Sequence, residues 1–132
     1  MDREQMRQRT KAFGVRVVKL AAALPNGRVG DVLGRQLLRA GTAIGANDHE
    51  AIRASSRRHF VTMLEVAERE AAETLYWLDL LSEAELIKPE RLAELHDECR
   101  QLLAILVATG RTTKRARTSS NSKSEIRNPK SP

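Results

Sequence analysis

An all-α fold, an antiparallel up-down-up-down four-helix bundle, is what this sequence predicts, and three observations predict it. Four segments carry apolar residues at alternating steps of four and three, which gathers them on one face of a helix. Strand signals are thin: no run of β-branched residues alternates with polar ones, and no Asn-Gly turn sits between alternating apolar positions. The links between the segments are short, which favours antiparallel neighbours. Aromatics are scarce, with Phe13, Phe60, Tyr76 and Trp77 the whole supply, so Ala and Leu must fill the core.

The first stripe is Met6, Thr10, Phe13, Val17, Leu20 and Leu24, and Pro25-Asn26-Gly27 ends it with a turn. Asp31 is the expected N-cap of the second helix, whose stripe is Leu33, Leu37, Ala40 and Ile44. Gly34, Gly41 and Gly45 interrupt that helix, each at about 1 kcal/mol in propensity relative to Ala. Close approach of a neighbouring backbone is the expected compensation. The polar stretch from Asn47 to Ser55 reads equally as loop or as more helix.

Ser55 or Ser56 caps the third helix, with the stripe Phe60, Leu64, Ala67, Ala71, Thr74, Leu78 and Leu81. A second row, Met63, Val66, Trp77 and Leu80, implies more than one neighbour. Pro89 opens the fourth helix, where a first-turn proline is well tolerated. Leu92, Leu95, Cys99, Leu102 and Leu106 carry it to Thr109-Gly110. The expected helices are thus 3–24, 31–52, 56–86 and 89–109. Residues 1–110 form the bundle domain, and 111–132 read as a basic, disordered tail with little to bury. Within it Asn121-Ser122-Lys123-Ser124 recurs as Asn128-Pro129-Lys130-Ser131, a repeat suggestive of translated repetitive DNA.

The 132-residue chain carries a formal net charge of +6. All of that excess lies after Gly110, because residues 1–110 hold 16 basic and 16 acidic groups. Within them, residues 1–58 hold 12 basic and 5 acidic side chains, and residues 59–110 hold 4 and 11. Two complementary faces follow, pairing within one subunit or between subunits. A lone cysteine, no signal-like apolar segment at the start and no run near 20 apolar residues point to a cytoplasmic protein that does not enter membranes.

Chemistry finds few candidates. A di-iron bundle needs Glu-x-x-His pairs, but Ala46, Ser56 and Ala93 stand three residues before His49, His59 and His96. His96 and Cys99 are one turn apart, and two ligands do not make a metal site. No phosphate-binding loop, dinucleotide fingerprint or nucleophile elbow occurs. The sequence therefore predicts no catalytic residue, no metal and no cofactor. Two clusters remain. Arg53, Arg57 and Arg58, beside Ser55 and Ser56 at a helix start, are the nucleic-acid candidates, able to offer guanidinium forks and free backbone N–H groups; the alternative, slightly favoured, is a solvated helix end pairing with the acidic half at Glu65, Glu68 or Glu70. Arg39, Asn47, Glu50 and Glu73 are polar residues amid apolar helical surroundings and read as a buried hydrogen-bonded network. Tyr76-Trp77 reads as core or interface rather than a base-stacking platform.

Gln36-Leu37-Leu38-Arg39-Ala40-Gly41-Thr42-Ala43-Ile44-Gly45-Ala46-Asn47, then Glu50-Ala51 and Arg53-Ala54-Ser55, resemble the signature of the bacterial four-helix-bundle proteins that include those encoded by intervening sequences in 23S rRNA genes. Phe60, Ala67, Glu70 and Glu73-Thr74-Leu75-Tyr76-Trp77-Leu78 extend the resemblance over roughly residues 6–108. Asp48 and His49 depart from the apolar or aromatic and basic residues of that pattern. The resemblance implies a homo-oligomer, typically a pentamer. It also brings in the accessory proteins of diversity-generating retroelements, which share the fold and bind nucleic acid and a reverse transcriptase; their folded bodies are strongly basic, whereas this one is neutral. The glycines of the second helix and the extra row on the third also argue for self-association. The expected protein is a non-enzymatic oligomeric scaffold or adaptor whose partners are its own copies and RNA, DNA or a nucleic-acid-handling protein, met through the basic 1–58 half. The alternative is a purely protein-binding oligomer with no nucleic-acid role.

Overall fold

A computed structural model describes residues 1–127, with side chains described through Ala116. Four helices follow one another: α1 (Arg3–Ala22), α2 (Arg28–Ile52), α3 (Arg57–Glu83) and α4 (Pro89–Arg127). They form an antiparallel up-down-up-down bundle in which α1 packs on α2, α2 on α3 and α3 on α4. The stripes meet in one core: Phe13 and Val17, Leu37 and Ile44, Leu64 and Leu78, and Cys99, Leu102 and Leu106 are all essentially buried. Thr10 and Thr74 sit in that core because each hydroxyl donates to a carbonyl of its own helix, Arg7 and Glu70 respectively. In α3 the stripe begins with Val61 rather than Phe60, which is half-buried at its edge.

The ends of the helices show where local chemistry decides. Asp2 and Gln5 close a capping box on α1, at 2.8 and 3.0 Å. The expected cap at Asp31 is incorrect: α2 starts a turn earlier, with Gly27 at φ 132° as its N-cap and Asp31 inside the first turn. Only glycine reaches that backbone conformation without strain, and the carboxylate at 31 still favours the positive helix end. The Asn47–Ser55 stretch is helix as far as Ile52. Ser56 caps α3, accepting from the His59 amide at 3.1 Å. At the end of α3, Leu86 N–H bonds Leu81 O and Glu85 N–H bonds Ser82 O, both at 3.1 Å, with Glu85 at φ 60°. This is a Schellman turn with a glutamate in the left-handed position.

The glycines of α2 are explained inside one subunit. A Cβ on Gly41 would lie 2.7 and 2.8 Å from the two methyl carbons of Val17, and one on Gly45 would lie 3.2 Å from the Thr10 carbonyl oxygen. They let α1 and α2 approach closely, as expected, and therefore give no argument for a second copy. Between α1 and α4 contact is sparser. That seam is bridged instead by long side chains, Arg9 to Glu98 at 2.5 Å and Arg16 to Glu94 at 3.9 Å.

The largest departure concerns the C-terminal segment. The expected stop at Gly110 does not occur, and α4 continues as helix to Arg127. Gly110 is buried, 3.6 Å (from its would-be Cβ) from a Glu68 carboxylate oxygen, and Lys114 pairs with Glu65 at 2.8 Å. Contact with α3 outweighs the propensity penalty of one glycine, so the helix persists through it. Residues 128–132, with the second copy of the short repeat, lie outside the described residues.

Candidate nucleic-acid interface

The joint between α2 and α3 is tight. Arg53 N–H and Ala54 N–H close the end of α2 on Glu50 O and Ala51 O, both at 3.1 Å, and Ser56 caps α3 two residues later. Arg53, Arg57 and Arg58 are all exposed there. None of their three guanidinium groups makes a hydrogen bond or ion pair with another described residue. The first turn of α3 holds no acidic residue, so two arginines stand at a positive helix end, where their charge is unfavourable unless an anion is present. The three residues flank one joint, Arg53 at the C-cap of α2 and Arg57 and Arg58 in the first turn of α3.

Arg3, Arg7, Arg9, Arg16 and Arg39 of the basic half are engaged, while Arg28 and Arg35 are exposed with no partner among the described residues. Arg9 and Arg16 reach α4, and Arg39 reaches Glu73 at 2.5 Å and Glu70 at 3.4 Å on α3. Hydrogen bonding to Glu73 raises the Arg39 pKa; the same contact, aided by Trp77 Nε1 donating at 3.2 Å, holds the Glu73 carboxyl below its usual range. Complementarity between the two charged halves therefore operates within one subunit.

The expected buried network does not form as a unit. Arg39 and Glu73 meet, but on the surface, with Glu70 and Trp77 as their further partners. Asn47 donates to its own helix at Ala43 O, 2.8 Å, and Glu50 is exposed. A glutamate or asparagine amid apolar letters does not reveal which side of the helix it occupies until the register is known.

Among the described residues the buried charged side chain is instead Asp48. Its side chain is fully buried, with one carboxylate oxygen 2.7 Å from the Arg3 guanidinium. Arg3 in turn lies over the Phe60 ring, 5.1 Å from its centroid. Asp48 Oδ2 and Arg3 Nε have no partner among the described residues, so the pair meets through one contact rather than two. This staple ties the start of α1 to the end of α2 and the start of α3. Its helical phase, four residues beyond buried Ile44, was the available signal.

Cys99 and His96 diverge. Cys99 Sγ is buried and donates to Ala71 O at 3.4 Å, and burial, with a smaller push from Glu98, raises its thiol to about 12. His96 pairs with Asp79 at 3.0 Å. Among the described residues no group of three His, Cys, Asp or Glu side chains could hold a metal ion, and no helix is long and apolar enough to cross a membrane.

Between α1 and α2 lies an apolar groove of about 420 Å³, lined by Val15, Val18, Gly14, Thr42 and Ala46 and edged by Arg7, Lys11 and His49. Val15 and Val18 are each about half exposed.

Comparison with known proteins fits this architecture. A crystal structure of a protein with unknown function from the S23 ribosomal protein family of Bacteroides thetaiotaomicron VPI-5482 superposes with a TM-score of 0.79 at 35% identity, covering 84% of this chain and 99% of that one. No curated protein matches the chain. The family model described as 23S rRNA-intervening sequence protein matches residues 3–108, which span all of α1–α3 and most of the buried length of α4. The chain belongs to the 23S rRNA-intervening sequence protein family.

Proposed function

We propose that this protein is a non-enzymatic, oligomeric helical scaffold that acts in the cytoplasm and binds RNA or DNA through its basic N-terminal half. The observation that carries the reading is the contrast among the arginines of residues 1–58. Arg3, Arg7, Arg9, Arg16 and Arg39 are paired with carboxylates of the same subunit, whereas Arg53, Arg57 and Arg58, like the more scattered Arg28 and Arg35, are exposed with no partner among the described residues, and these three fall within six residues at one joint. Unpaired guanidinium groups at a helix N-terminus suit phosphate.

Self-association rests on the exposed valines of the α1–α2 groove, an apolar surface a second copy would cover. Five copies is the number that the family resemblance implies, and sedimentation velocity at micromolar concentration should give a species several times 14.8 kDa. The same groove favours the second reading, a purely protein-binding adaptor.

Salt dependence of binding separates the two readings. For duplex nucleic acid each phosphate contact contributes a slope of about 0.9 to log affinity against log salt. Arg53/Arg57/Arg58→Ala should therefore flatten that slope by about 2–3 and weaken binding at low salt. A triple variant that binds like the parent would remove the site, and a parent that binds nothing at low salt would leave the protein-binding adaptor.

A further inference from the structure

The antiparallel topology brings α4 beyond Gly110 to the same end of the bundle as the α2–α3 joint. Gly110 sits against Glu68 and Lys114 pairs with Glu65, so each turn of α4 toward its C-terminus lies beside an earlier turn of α3. Continuing as helix to Arg127, the α4 backbone passes the level of Arg57. Arg111 and Arg115 are exposed on this stretch. Arg111 and Arg115, beyond the expected end of the bundle, thus lie on the part of α4 that runs toward that joint.

We infer that this end of the bundle grips the sugar–phosphate backbone of a double-stranded nucleic acid, with the α2–α3 joint and α4 beyond Gly110 as two halves of one contact. The inference rests on the proposed nucleic-acid reading and deepens it by naming the ligand's form and the second element. Two features favour it. Several carboxylates near the joint are already engaged, Asp48 by Arg3, Glu4 by Arg7 and Glu65 by Lys114, while Glu50 is exposed beside Arg53. The second is aromatic: bases of a single strand need exposed aromatic faces to stack on. Here Phe60 is half-buried beneath Arg3, and Tyr76 lies about 28 Å along α3 from Arg57 at 1.5 Å per residue. Charge without stacking surfaces suits a duplex backbone, read by position and not by sequence.

The test uses the full chain and short duplex RNA, duplex DNA and single strands of the same sequence, titrated with salt by fluorescence anisotropy. Three variants are compared: Arg53/Arg57/Arg58→Ala at the joint, Arg111/Arg115→Ala on α4, and Lys19/Arg28/Arg35→Ala, which removes the same charge as the first from elsewhere on α1 and α2. The joint and α4 variants should each weaken duplex binding about tenfold or more at low salt and flatten the salt slope by about 0.9 for each phosphate that is no longer neutralised. The Lys19/Arg28/Arg35 variant should change binding by less than about twofold, since salt-dependent affinity follows the phosphates neutralised and not net charge. Arg111/Arg115→Lys should retain most of the binding, and circular dichroism should report unchanged helix content throughout. If the joint variant loses binding while the α4 variant does not, the shared grip is overturned and the nucleic-acid reading stands. Tighter binding of single strands than of duplexes overturns the duplex assignment. No binding by the parent chain overturns the reading itself.

Discussion

Gly14 and Gly41 lie on the same α1–α2 seam, yet a methyl group would meet different surroundings at each. At position 14 the nearest atom to a new Cβ is Thr42 Cα at 4.0 Å, an ordinary contact; at position 41 it is a Val17 methyl at 2.7 Å. Valine has essentially one χ1 rotamer available in a helix, so it cannot swing aside. Gly14→Ala should therefore stabilise the fold by up to about 1 kcal/mol through helix propensity. Gly41→Ala should destabilise it by about 1–2 kcal/mol despite the same propensity gain. Urea unfolding checks both signs, and stabilisation by both substitutions would show that the helices are not held this close. The Arg3–Asp48 pair makes a second residue-scale case. Arg3→Ala leaves a fully buried carboxylate without its cation and should destabilise by about 2–3 kcal/mol, somewhat less than for a fully buried pair because Arg3 keeps 35% exposure. Arg3→Met/Asp48→Leu should recover most of that loss in a double-mutant cycle. A double variant as unstable as Arg3→Ala would mean that the pair's position, and not its charge, matters.

Among the elements, the α3–α4 turn makes the cleanest prediction. Glu85 occupies the left-handed position of a Schellman motif at φ 60°, where a Cβ is disfavoured. Glu85→Gly should raise stability by about 0.5–1 kcal/mol, read as a higher denaturation midpoint with an unchanged m-value. A drop in stability would place the strain elsewhere. This turn was not legible in the sequence, because Ala84-Glu85-Leu86 contains no turn-forming residue. The stripes were legible, since 3-4 spacing of Leu, Ile, Val and Ala is a direct record of which face is buried. Gly27 and Gly110 mark where local rules mislead. At Gly27 a glycine caps the helix that an aspartate was expected to start, and at Gly110 tertiary contact with Glu68 carries a helix through a residue that usually ends one. Of the candidate site, the clustering of Arg53, Arg57 and Arg58 could be read from adjacency alone. The Asp48–Arg3–Phe60 staple could not, because its members come from three helices and meet only once the bundle closes.

At the scale of the whole molecule, cross-helix pairs along the length of the bundle, Arg9–Glu98 and Arg39–Glu73 among them, consume much of the opposition between the basic and acidic halves. What remains exposed includes Arg53, Arg57 and Arg58 where α2 hands over to α3, and a mixed set around the α3–α4 turn, Glu83, Glu85 and Glu90 with Lys88 and Arg91. On the proposed reading the first of these ends meets a polyanion and leaves the α1–α2 groove to another copy. Amide hydrogen exchange of the full chain, with and without a short RNA duplex, tests this account most directly, because it reads the contact position by position. The account predicts added protection at the α2–α3 joint and on α4 from Gly110 to Ala116, with the α3–α4 turn unchanged. Protection confined to the α1–α2 groove, or none anywhere, would contradict it.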